Sequence, residues 1–290
     1  MKDQGKFSHR TDWKLEPNSL TVLRESFERK KIAYIDLTES NPTRCRFSYL
    51  QEKILKSLAD SKNMVYDPHP QGSLKAREAV SRYYQKKGFS VDPQQIFLTA
   101  STSEAYSLIF RLLLNPHERI LTAQPSYPLF EFLIGLNDAA RDVYPLLYKG
   151  RGWAIDLKVL KKAIRPKTKA ILIVNPNNPT GSFLRQEEFF ALKEICQRHH
   201  LALICDEVFS DYPWEEDPRR VLSLVETKEI LCFCLGGLSK SLGLPQMKLS
   251  WIVLNGPPCS RKRMVRENTR VTPSLTRARR RSSSPDLTRA

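Results

Sequence analysis

The chain has 290 residues, a net charge of +16 and 41% hydrophobic residues, which is long enough to bury a full core and too apolar for a disordered polymer. No apolar run approaches the ~20 residues that cross a bilayer, and the opening MKDQGKFSHRTDWK lacks the apolar centre of a secretion signal. These features argue against a membrane-spanning or secreted class and lead us to expect a cytoplasmic protein.

In chain order, residues 1–49 read as an arm with little periodicity, in which Asp36–Thr43 closes a short apolar run at a turn. Helical spacing is expected over 50–58 and over 74–84, the latter after the start signal Gly72-Ser73. A regular rhythm follows. Strands are expected over 96–98, 120–123, 143–147, 170–174, 201–205, 230–235 and 249–254, most of them separated by amphipathic stretches such as 103–114, 157–164 and 186–199. Strand and helix alternating at this spacing predict an α/β fold, three layers deep, around a mostly parallel seven-stranded sheet.

The last segment differs. Ten basic and two acidic residues lie between Asn255 and Ala290, about half of the whole excess charge. This segment is rich in Arg, Ser, Thr and Pro without apolar periodicity, so 258–290 is expected to be a disordered basic tail. It has no interleaved aromatics, so it predicts nonspecific, salt-sensitive phosphate attraction and no specific nucleic-acid partner. The six cysteines show no Cys-x-x-Cys spacing; Cys205, Cys232 and Cys234 fall in expected strands and read as buried thiols, not metal ligands.

Three polar signatures each end an apolar run: Asn175-Pro-Asn-Asn-Pro-Thr-Gly181 after AILIV, Asp206-Glu207 after LALIC, and Ser239-Lys240 after ILCFCLGGL. The carboxyl ends of buried strands are where an α/β sheet builds a ligand site. An amide, a buried carboxylate and a lysine together suit pyridoxal phosphate, which is held by a lysine and by a carboxylate on its ring nitrogen.

With NPNNPTG, then DEVF, then SK and a basic residue eight positions later, the chain resembles the class I/II aminotransferases, the aspartate aminotransferase-like branch of pyridoxal-phosphate enzymes of fold type I. The resemblance runs from about Trp13 to Pro257. It implies a cofactor-binding large domain over 50–257, with 1–49 as arm and small-domain segment. It also implies that Lys240 is the Schiff-base lysine and proton carrier, and that Asp206 faces the pyridine nitrogen, although an aspartate there also suits a helix N-cap. Asn178 is implied to hydrogen-bond the phenolic oxygen and the substrate side of the site, besides its turn role. Ser101, Thr102 and Ser103 correspond to the phosphate cup, and equally to ordinary helix capping. Tyr127 corresponds to the aromatic stacked on the ring, or to a core tyrosine. Tyr66 corresponds to a residue reaching the neighbouring subunit of a homodimer, or to loop packing. Asn41 lies in a loop expected over the substrate.

Several positions depart from the family pattern. Phe209 replaces a tyrosine, Gly237 replaces a phosphate-binding serine for which Ser239 compensates in part, Lys248 replaces an arginine, and Ser250 replaces a glycine. The small domain is expected to be incomplete, because nothing after Pro257 matches the family's substrate-carboxylate arginine. The abrupt change there reads as a frame shift or degenerate terminus. The expected function is transfer of an amino group from an amino acid to a 2-oxo acid. An impaired remnant of such an enzyme, or a lyase or synthase on the same scaffold, are the alternatives, since fold alone does not fix the reaction.

Overall fold

Runs such as AILIV and LALIC are apolar at every position, as expected for strands covered on both faces. The computed structural model describes residues 8–13, 16–36, 40–150 and 152–258 and places both runs at the centre of one sheet. In chain order its helices and strands are α1 (Ser19–Arg29), α2 (Gln51–Leu58), α3 (Leu74–Lys86), β1 (Ile96–Thr99), α4 (Thr102–Leu113), β2 (Arg119–Gln124), α5 (Phe130–Leu136), β3 (Ala140–Tyr148), β4 (Trp153–Ile155), α6 (Leu157–Ala163), β5 (Thr168–Val174), α7 (Gln186–His199), β6 (Ala202–Asp206), β7 (Cys232–Gly237), the single turn α8 (Leu238–Ser241) and β8 (Ser250–Asn255).

The sheet has eight strands in the order β1-β8-β7-β6-β5-β2-β3-β4. Strands β3, β2, β5, β6 and β7 run parallel. β8 is antiparallel to both β7 and β1, so β1 points the same way as the parallel set. All seven expected strands are present. The eighth, β4, is a three-residue antiparallel addition to the edge of β3, too short between Gly152 and Asp156 to stand out in the sequence.

Because successive side chains on a strand alternate faces, the apolar runs split into two cores. One face packs Leu172, Ile204, Phe233, Leu235 and Ile252 against Tyr106 and Phe110 of α4 and Phe130 of α5. The other packs Ile171, Leu203, Cys205, Cys234 and Val253 against α3, α6 and α7 through Tyr84, Leu160 and Leu192. Two register rows cross the sheet near its carboxyl edge. The inner row is Val174, Asp206, Leu235, Ile252 and Phe97; the outer is Gly237, Ser250 and Thr99. On the opposite face Gly236 lies under Trp251, whose indole a Cβ at position 236 would meet at 2.6 Å. The glycine pair ending β7 is therefore a consequence of close packing.

Cys196, Cys205, Cys232 and Cys234 are buried free thiols. Among the described residues no helix is long and apolar enough to cross a membrane. The expected basic tail lies outside the described residues from position 259 on.

Candidate active site at the carboxyl edge of the sheet

Since β1, β2, β5, β6 and β7 all point one way and β8 enters from the same side, one edge collects the residue after each strand. Ser101 to Ser103 follow β1, Tyr127 follows β2, Asn178 follows β5, Asp206 ends β6, and Lys240 follows β7, while Lys248 precedes β8. The order of signatures in the chain thus becomes proximity across the sheet.

Asp206 is 6% exposed. Its Oδ2 accepts from the Tyr106 hydroxyl at 2.5 Å and its Oδ1 from the Val208 N–H at 3.0 Å. Burial holds its carboxyl above the usual carboxylate range, and the two hydrogen bonds only partly offset that. Among the described residues no lysine or arginine pairs with it. Its own burial, and then the same carboxylate, raise the phenol of Tyr127. That half-buried ring packs edge-on against Phe130 at 5.6 Å, and Phe130 against Tyr106 at 5.2 Å. Tyr106 is one site residue that the motifs did not reveal: an aromatic on the apolar face of a helix carries the same sequence signal as a core residue.

The NPNNPTG turn divides its work. Asn175 is fully buried and bonded to the Val221 carbonyl and the Leu184 N–H, both at 2.9 Å. Asn177 donates to Thr180 Oγ1 at 2.8 Å and to the Pro125 carbonyl at 3.3 Å, tying this turn to the loop that carries Tyr127. Asn178 is left half-buried at the tip. At the start of α4, Ser101 Oγ accepts from the Glu104 N–H at 3.1 Å, and Glu104 reaches back to the Ala100 N–H at 2.6 Å. The capping role of Ser101 is thus present, and Thr102 and Ser103 begin the helix with N–H groups that no preceding turn can satisfy.

Lys240 Nζ donates to the Ser40 carbonyl at 2.6 Å and stands 5.4 Å from the Phe209 ring centroid. Its own carbonyl accepts from the Tyr212 hydroxyl at 2.5 Å. The arm segment is held across this turn, for Tyr49 donates to the Gly243 carbonyl at 2.7 Å. Asn41, next to Ser40, uses its Oδ1 to cap Thr43 through N–H and hydroxyl at 3.0 and 2.7 Å. Ser40, Tyr49 and Tyr212 were not legible as site residues because each contributes through a tertiary contact. The loop after β6 is anchored from behind by Lys87, which donates to Ser210 Oγ at 3.0 Å and Asp211 Oδ1 at 2.9 Å.

The remaining expected residues stand at the rim. Ser239 is half-buried and Lys248 is exposed, in a left-handed conformation (φ 48°) just before β8. Tyr66 is 78% exposed and is not brought to the other site residues within this chain. The donor set fits pyridoxal phosphate on a point of this structure: a buried carboxylate that faces no cation among the described residues is stabilised by a cationic ring nitrogen, and a primary amine stands just past the end of the adjacent strand.

Compared with known proteins, residues 33–287 match the family described as aminotransferase class I and II. The matched range runs past the boundary at 257 expected from composition. The glutamate-pyruvate aminotransferase AlaA of Escherichia coli (strain K12) is 29% identical over 187 residues, which are 64% of this chain and 46% of that protein. The alanine aminotransferase of Mycobacterium bovis is 30% identical over 189 residues, 64% of this chain and 44% of that one. The solved alanine aminotransferase of Pyrococcus furiosus superposes with a TM-score of 0.73 at 27% identity, covering 85% of this chain and 63% of that one. The chain thus spans about half the length of the curated relatives it matches. Ordered motifs, a shared fold and a family match over most of the sequence agree, and the chain belongs to the class I and II aminotransferases.

Proposed function

We propose that this chain is a pyridoxal-phosphate-dependent aminotransferase that moves an amino group from an amino acid to a 2-oxo acid. The observation that carries the reading is a buried carboxylate at the end of β6, with no lysine or arginine paired to it among the described residues, beside the amine of Lys240 in the turn that follows the adjacent β7. When bound, pyridoxal phosphate supplies an aldehyde that takes up amino groups and a ring that accepts electrons as a bond at the amino acid's Cα breaks.

The chain's own residues have these roles. Asp206 keeps a proton on the ring nitrogen, and Tyr106 and the Val208 N–H fix its two oxygens. Lys240 Nζ anchors the cofactor and is the base that takes the Cα proton, which requires it to leave the Ser40 carbonyl. Thr102, Ser103 and the α4 N-terminus receive the phosphate, together with Ser101, Ser239 and Lys248. The ring of Tyr127 lies against the cofactor, and Asn178 orients its phenolic oxygen. Asn41 lies on the substrate side. Tyr66, 78% exposed, reads as reaching the site of a second copy, so the working unit is a homodimer.

Relatives named for glutamate, pyruvate and alanine make glutamate and pyruvate the first pair to try. Titration of the purified chain with pyridoxal phosphate is expected to produce the visible band of the lysine-bound cofactor. Glutamate should discharge that band and pyruvate restore it. A band that no amino acid alters would reject amino-group transfer while leaving cofactor binding intact.

A further inference from the structure

The row one pleat beyond Asp206 sets Gly237, Ser250 and Thr99 side by side on neighbouring strands. Side chains two residues apart on a strand share a face, so this row lies on the face of Leu235, Ile252 and Phe97, the face that α4 covers. Thr99 joins the row to that helix directly, its hydroxyl donating to the Ser101 carbonyl at 3.1 Å.

Between Gly237 and Ser250 there is room for one side chain. A Cβ at position 237 would stand 2.4 Å from Ser250 Oγ, 3.1 Å from Ser250 Cβ and 3.3 Å from the Leu249 carbonyl oxygen. Ser250 fills that room. It is 2% exposed. Its hydroxyl stands in the row that meets the first turn of α4, where Thr102 and Ser103 bring N–H groups that no preceding turn satisfies.

We propose that Ser250 is a phosphate-binding residue, donating its hydroxyl to the phosphate of pyridoxal phosphate alongside Thr102 and Ser103. Two departures from the family pattern, glycine at 237 and serine at 250, then become one exchange: the hydroxyl has crossed from β7 to β8 within the same row. The inference rests on the proposed reading of the site as a pyridoxal-phosphate site.

The test uses absorbance titration of the full chain with pyridoxal phosphate and, separately, with pyridoxal, which lacks the phosphate. Ser250→Ala is expected to weaken pyridoxal phosphate about tenfold or more, as for loss of a hydrogen bond to a charged group, and to leave pyridoxal unchanged. Gly237→Ser alone is expected to lower the melting temperature by crowding Ser250. The double variant Gly237→Ser/Ser250→Gly should recover both the melting temperature and the affinity for pyridoxal phosphate. Equal affinity of Ser250→Ala and wild type for pyridoxal phosphate, or equal weakening of both ligands, overturns the proposal. Uptake of neither ligand by the wild-type chain overturns the cofactor reading, and the proposal with it.

Discussion

Glu207 offers a test of the site's electrostatics that needs no cofactor. It follows Asp206, is 4% exposed, and accepts from Ser223 Oγ at 2.6 Å and from the Leu224 N–H at 2.8 Å. Burial pushes its carboxyl up from 4.5 to about 6, against the opposing pull of those bonds and of Lys87. A carboxyl raised in the folded state binds its proton more tightly there than in the unfolded chain. Its contribution to stability is therefore fully present below the unfolded value and is lost as pH rises through the folded one. A gap of about 1.5 pH units corresponds to about 2 kcal/mol, most of it lost by about pH 7. Glutamine keeps the acceptor for the Leu224 N–H and donates its amide to Ser223 Oγ, so Glu207→Gln removes the titration with little loss of bonding. In urea unfolding at about pH 5 and about pH 7.5, the advantage of the variant over wild type is expected to grow by about 1 kcal/mol. A difference that stays constant with pH, or shrinks as pH rises, would refute the reasoning.

The other predictions concern packing, an ion pair and the lysine's surroundings. Gly236→Ala drives a methyl to within 2.6 Å of the Trp251 indole, whose Nε1 is held by the Tyr84 hydroxyl at 3.1 Å; it should cost about 1–3 kcal/mol in denaturant unfolding, and an unchanged midpoint would contradict the close packing. Arg119 grips Asp142 through two bonds of 2.5 and 2.6 Å and holds its carboxyl below the usual carboxylate range. That stability is present above the unfolded value and is lost as pH falls, so Arg119→Met should lose about 2 kcal/mol near neutrality and flatten the acid side of the stability curve. An unflattened acid limb would count against the pair. Phe209→Tyr places a hydroxyl on the ring 5.4 Å from Lys240 Nζ and should tighten pyridoxal phosphate about threefold to tenfold, read as slower loss on dialysis; an unchanged rate would count against it.

The strands were legible because turn-bounded, uniformly apolar runs such as AILIV and LALIC leave little else for those residues to do. The helix Gln186–His199 matches its expected limits because polar and apolar residues alternate at helical spacing throughout. By contrast, α5 (FEFLIGL) gives no periodicity, since it packs Phe130 and Ile134 into the core with few polar residues on its other side. α1 carries Leu20, Leu23 and Phe27 at helical spacing but buries nothing among the described residues, and the reading of this segment as an arm with little periodicity missed it. In the candidate site, the motif residues Asp206, Lys240, Asn178 and Tyr127 could be named from the chain because each ends or follows a strand. Tyr106 could not, because it reaches Asp206 across 100 positions. The pairing of Gly237 with Ser250 required the register of β7 on β8, which linear spacing does not carry. Tyr66 could be named from its motif, but nothing among the described residues brings it to the site.

Borohydride reduction of the chain loaded with pyridoxal phosphate, followed by peptide mapping, addresses the central claim most directly. The reduced pyridoxyl group is predicted on Lys240, and Lys240→Ala should abolish both the label and the visible band. A label on another lysine, or a Lys240→Ala protein that keeps the same chromophore, would contradict the account.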